Sequence, residues 1–187
     1  MNLLALMFST TFFTGFLPGK ITGKPGKGGG LAGSIVALLI QLYFVHAGFG
    51  FNANLILIVS SFFIGLLSVP GGAKYIYLKW GMLKRHDGTE TNFDYNEINI
   101  DEVHGQAISG ASAFLFNITP ICRIIFLLFS FVLFRFFDTN KTWPIKNVEK
   151  KTKGAFGIMF DDTVGGIMAM ITTMIAILFV YIIVLTF

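Results

Sequence analysis

TVGGIMAMITTMIAILFVYIIVLTF, residues 163–187, runs for 25 residues without a charged side chain. As a helix rising 1.5 Å per residue it covers about 37 Å, enough to cross a hydrocarbon core of about 30 Å. The run reads as a membrane helix. It begins directly after the pair Asp161-Asp162.

The rest of the chain repeats this pattern. No charged residue lies between Lys27 and Lys74, and only Arg123 lies between Glu102 and Arg135. The 187 residues are 54% apolar and 13% charged, with a net charge of +4. Mean hydropathy is +0.73. This composition excludes a disordered chain, a coiled coil and an ordinary cytosolic enzyme. A lone Cys122 excludes a disulfide scaffold. Residues 1–17 are apolar, but neither a basic start nor a small-residue cleavage site marks a removable signal peptide. The lysines are not set among stacking aromatics, which argues against a nucleic-acid partner.

The expected fold is an all-α integral membrane bundle, one domain over residues 1–187, with helical hairpins and polar loops. Helices are expected over 31–47, 55–69, 101–117, 121–137 and from 156 onward. Pro70-Gly71-Gly72 ends the second of them, and loops occupy 18–30, 71–100 and 138–154. These three loops hold every basic residue except Arg123 and Arg135, whereas the breaks at 48–54 and 117–120 hold none. By the positive-inside rule the three loops share the cytoplasm and Phe187 lies on the far side.

Five of the ten acidic residues fall at ends of these expected helices: Asp101, Glu102, Asp138, Asp161 and Asp162. The topology brings all five to one face. Single acids there are ordinary helix caps. Five on one face at a membrane suggest a hard divalent cation held by oxygen, Mg²⁺ above all. Small residues follow both acidic pairs: Gly105, Ser109 and Ala113, then Gly165, Gly166, Ala169, Thr173 and Ala176. Such stripes let membrane helices approach closely and would bring the two pairs together.

Arg135 shares a helix face with Asp138, and Lys141 and Lys153 follow. Cations beside a metal-binding acidic cluster suit a phosphate ester, whose several oxygens need neutralising at once. His46, His86 and His104 share no metal-ligand spacing. The glycine run before residue 31 lacks the Lys-Ser/Thr of a P-loop. A rival reading is a small transporter or cation channel with an acidic ion-binding cluster, but such acids would sit deep within the helices.

Three ordered blocks carry a family resemblance. They are IDEVHGQ at 100–106, FRFFDTNKTWPI at 134–145 and KGAFGIMFDD at 153–162. They resemble the DEVxGQ, FRxFDxxKPxPI and KGGxGIMxDDxxAG blocks of phosphatidylglycerophosphatase A. The resemblance covers about residues 10–180. It implies a Mg²⁺-dependent phosphatase of phospholipid biosynthesis in the bacterial cytoplasmic membrane, facing the cytoplasm. Its substrate is the membrane lipid phosphatidylglycerophosphate, which it converts to phosphatidylglycerol. The blocks keep Asp101, Glu102, Asp138, Asp161 and Asp162, which are the expected catalytic acids, some of them binding Mg²⁺. Arg135, Lys141, Lys153 and Ser34 are the substrate-binding groups. Ser34 belongs to what remains of an LPxAPGTxGS segment, here altered near Gly29-Gly30-Leu31. Thr142, Ala155 and Gly165 replace a Pro, a Gly and a usual Ala of the family pattern. Whether water or an aspartate attacks phosphorus stays open.

Overall fold

A computed structural model describes residues 3–24, 27–84, 90–91 and 93–186. The elements are α1 (Leu3–Ser9), a 3-10 turn (Thr14–Phe16), α2 (Leu17–Thr22), α3 (Gly29–His46), α4 (Phe51–Trp80), α5 (Ile100–Ser109), α6 (Ser112–Leu115), α7 (Pro120–Asn140), α8 (Ile145–Lys151) and α9 (Gly154–Thr186). Two-residue strands β1 (Leu83–Lys84) and β2 (Glu90–Thr91) pair antiparallel between α4 and α5. The all-α membrane bundle is observed. Four helices, α3, α4, α7 and α9, are long and apolar enough to span a bilayer, and the N-terminal segment forms a pair bent by 69°.

The helices alternate in direction. Ser34 on α3 meets Arg135 on α7 while Leu38 and Val45 cluster with Leu127, and Ser61 on α4 meets His104 on α5 while Asn54 meets Ala107, so both pairs are antiparallel. Asp101, Glu102 and Asp162 meet at one level, and a Cβ on Gly166 would strike the Gly105 carbonyl one turn further on. Helices α5 and α9 therefore run parallel, and the expected acidic end of the bundle exists. The expected side of Phe187 concerns a residue outside those described.

Three expectations fail. Helix α4 does not stop at Pro70 but continues to Trp80. Pro70 is exposed on it, and its missing N–H costs the helix one backbone bond. Gly71 and Gly72 face α1, where a Cβ would meet Ala5 and Ser9. That tertiary contact holds the helix together past the proline. The expected loops 18–30 and 138–154 contain α2 and α8, and α3 begins two residues early, at Gly29. The helix expected over 101–117 breaks after Ser109, and only the short α6 follows.

In lipid, apolar burial between helices gains little over contact with acyl chains, so close packing and polar contacts must hold the bundle. The core accordingly joins fully buried Phe134 and Met159 to glycines. Gly65 on α4 leaves room for Met159 of α9, and Gly105 for the Phe134 ring of α7. At 33 residues α9 is about 50 Å long, so its first turns extend beyond a single crossing.

Candidate active site

The site is built around the start of α5. Asn99 is fully buried just before it, donating from Nδ2 to Thr14 Oγ1 (3.1 Å) and to the Gly29 carbonyl (3.2 Å). Its backbone N–H donates to the Ser9 carbonyl at 3.0 Å. One residue thus ties the N-terminal segment, α3 and α5 together. The first turn of α5 then presents Asp101 and Glu102. On the facing start of α3, the place of a Gly30 side chain is taken by the Glu102 carboxylate. Helix α9 reaches the same point because Gly105 and Gly166 let the two backbones touch.

Asp101, Glu102 and Asp162 each direct one carboxylate oxygen to a common point, all within 4.8 Å of one another. Asp101 Oδ1, Glu102 Oε2 and Asp162 Oδ2 are buried without a hydrogen-bond partner. Burial, and then the nearness of Glu102 and Asp161, holds the Asp101 carboxyl well above the ordinary carboxylate range. Burial likewise pushes Glu102 up to about 8, although a hydrogen bond with Asp101 opposes the shift. Buried carboxylates are paired or bind metal, because an isolated charge there is costly. Converging hard oxygen donors with nothing to satisfy them fit a divalent cation of the Mg²⁺ or Ca²⁺ type.

The other two acids are arranged differently. Asp138 Oδ2 lies 2.9 Å from Arg135 Nη1, and Asp138 Oδ1 lies 3.4 Å from Lys141 Nζ. Lys141 Nζ also donates to Asp161 Oδ2 at 2.8 Å. Lys141 ends α7 in a left-handed conformation, φ 42°, which is uncommon outside glycine. Burial works to lower its ammonium, but Asp162, Asp161 and Asp138 outweigh that and hold it above its ordinary value. Arg135 Nη1 donates as well to Ser34 Oγ, 3.3 Å away and one turn beyond Gly30. The five acids therefore divide: three share unsatisfied oxygens, while Asp138 and Asp161 hold an arginine and a lysine beside them.

Of the expected substrate groups, Ser34, Arg135 and Lys141 join this network. Lys153 is exposed just ahead of α9 and stands outside the network among the described residues. His104 turns away from the acids. Its Nδ1 faces the Ile58 carbonyl (3.1 Å) and Ser61 Oγ (3.2 Å), and its Nε2 faces Thr163 Oγ1 (3.1 Å). Because a carbonyl can only accept, Nδ1 carries the proton toward Ile58. Burial lowers its pKa to about 4, so the ring is a neutral tie between α4, α5 and α9. Gly30 and Asn99 were not legible as site residues. The only signal for Gly30 was its glycine run, and Asn99 had none.

These elements define a polytopic helical membrane protein with an acidic, cation-edged site at one end of its bundle. The chain belongs to the phosphatidylglycerophosphatase A family, whose model matches residues 7–177. This is a family of phosphatases, and the chain is an enzyme of that type. A similar curated protein is the phosphatidylglycerophosphatase A of Haemophilus influenzae. It is 29% identical over 157 residues, covering 84% of this chain and 81% of that protein. No solved structure matches.

Proposed function

We propose that the protein is a Mg²⁺-dependent lipid phosphatase that hydrolyses phosphatidylglycerophosphate to phosphatidylglycerol and inorganic phosphate in phospholipid biosynthesis. The carrying observation is the set of three buried, unpartnered carboxylate oxygens of Asp101, Glu102 and Asp162 beside Arg135 and Lys141. Those three acids would hold the ion. When bound, Mg²⁺ supplies positive charge that polarises the phosphoryl group and offsets charge developing on its oxygens.

The chain's own groups do the rest. Arg135 and Lys141 bind the remaining phosphate oxygens. Asp138 and Asp161 act mainly by orienting these two cations, and Ser34 joins Asp138 in holding Arg135 Nη1. Lys153 meets the incoming headgroup at the rim. In the overall reaction the terminal P–O bond breaks. The glycerol oxygen leaves with a proton as the lipid alcohol, and the oxygen of water ends on inorganic phosphate. The acyl chains stay in the bilayer, which suits a site at the end of membrane helices. Residues 1–187 act as one domain. The basic loops support a site that faces the cytoplasm, and a phospholipid-synthesis role suits a bacterial inner membrane.

The test is purified protein in mixed micelles with phosphatidylglycerophosphate, and with phosphatidic acid for comparison. Equal amounts of phosphatidylglycerol and inorganic phosphate are expected. No turnover of either lipid, with cation flux in proteoliposomes, would overturn the assignment in favour of a transporter.

A further inference from the structure

Helix α5 ends inside the bundle, where no water is at hand to satisfy its last carbonyls. After the break the Gly110 N–H returns to the Gln106 carbonyl (2.9 Å) and the Ala111 N–H to that of Ile108 (3.0 Å). The Ala107 carbonyl between them is passed over. It accepts instead from Gln41 Nε2 of α3 at 3.2 Å and Asn54 Nδ2 of α4 at 3.0 Å. Gln41 Nε2 also donates to Asn54 Oδ1 at 2.9 Å, and Gln106 Nε2 donates to Gln41 Oε1 at 3.2 Å. All three amides are fully buried. The Gln41 amide occupies the space that a Gly110 side chain would need.

We infer that Gln41, Asn54 and Gln106 form an amide clamp that fixes the depth of α5 in the bundle and so holds Asp101 and Glu102 in register with Asp162. The clamp grips α5 one turn beyond Glu102, by the backbone rather than a side chain. A grip of that kind resists sliding along the helix axis. The facing backbones of Gly105 and Gly166 set how close α5 and α9 approach, Asn99 and His104 tie the first turns of α5, and the clamp holds its last turn. Gln41 and Asn54 lie outside all three family-like blocks and touch none of the acids, so they are positioning residues. This inference rests on the reading of Asp101, Glu102 and Asp162 as the cation site.

The experiment measures Mn²⁺, a paramagnetic probe of hard-oxygen sites, bound to the purified full-length protein in detergent by electron paramagnetic resonance, with melting followed in parallel. Gln41→Leu and Asn54→Ser should weaken Mn²⁺ binding about ten- to a hundred-fold, as loss of supporting contacts commonly does, with stoichiometry unchanged. Leu127→Ala, in the buried core of α7, should lower the melting temperature and leave the affinity within about twofold. If Gln41→Leu does not fold, Asn54→Ser carries the test, since it keeps Gln41 on the Ala107 carbonyl. Clamp variants that melt lower but bind Mn²⁺ as wild type does would overturn the clamp alone. A wild-type protein that binds no Mn²⁺ would overturn the cation site and the clamp together.

Discussion

Two adjacent glycines in α9 separate general helix packing from the geometry of the acidic site. A Cβ on Gly166 would lie 2.5 Å from the Gly105 carbonyl oxygen and 3.1 Å from Ile108 Cβ, whereas ordinary contact begins at 3.4 Å. Gly166→Ala must therefore part α5 and α9 by roughly 0.9 Å, one turn from the carboxylates, a displacement of the size that costs about 10²-fold in rate. One Mg²⁺ needs oxygens at about 2.1 Å, so its ligand atoms lie no more than about 4.2 Å apart. Carboxylate oxygens of the three acids lie within 4.8 Å of one another, and parting the helices works against closing them on a shared ion. Overpacking adds roughly 1–3 kcal/mol of destabilisation. At Gly165 the new methyl would lie 3.6 Å from Ile145 Cδ1 and 3.7 Å from the Phe134 ring, both ordinary contacts. Gly165→Ala should keep full activity and gain up to about 1 kcal/mol from helix propensity. The assay is phosphate release as a function of Mg²⁺, with a melting curve for each variant. Equal activity and equal Mg²⁺ half-saturation in both variants would refute the close-approach argument.

The two groups of acids should respond differently. Asp162→Asn or Glu102→Gln should lower turnover about 10²–10³-fold and weaken Mg²⁺ dependence. Asp161→Asn, which leaves Lys141 only its longer contact with Asp138, should chiefly raise KM for the lipid at unchanged Mg²⁺ half-saturation. Arg135→Lys should cost more than about tenfold in kcat/KM, because Asp138 and Ser34 both engage Nη1 and leave the other guanidinium N–H groups for phosphate oxygens, which a lysine lacks. Loss within twofold would remove Arg135 from the phosphate site. Sidedness is tested in a Cys122→Ser background with a membrane-impermeant thiol reagent on intact cells. Asn52→Cys should label and Asn147→Cys should not, and the reverse pattern would invert the topology.

The spans and the acidic end were legible in the sequence because charge is excluded from hydrocarbon and gathers at helix ends. Pro70 misled because a local rule met a tertiary contact: only the packing of Ala5 and Ser9 shows why Gly71 and Gly72 stay helical. The break after Ser109 was hidden for a related reason. The Ala107 carbonyl is satisfied by Gln41 and Asn54, 66 and 53 residues away, and no local pattern marks such bonds. Asp101, Glu102, Asp138, Asp161 and Asp162 could be picked out as a group, but not divided. The division depends on how far Lys141 reaches, which the turn ending α7 decides. Gly165 and Gly166 are indistinguishable as letters, and only the opposing Gly105 carbonyl separates them.

The central claim is that the phosphatase works through a cation held by Asp101, Glu102 and Asp162. Its most direct test is release of inorganic phosphate from phosphatidylglycerophosphate by the purified protein, after exhaustive chelation and again after Mg²⁺ is restored. The account predicts loss of turnover on chelation and full recovery with Mg²⁺ for the wild type, and no recovery at the same Mg²⁺ for Asp162→Asn. Undiminished turnover by the chelated wild-type enzyme would contradict it.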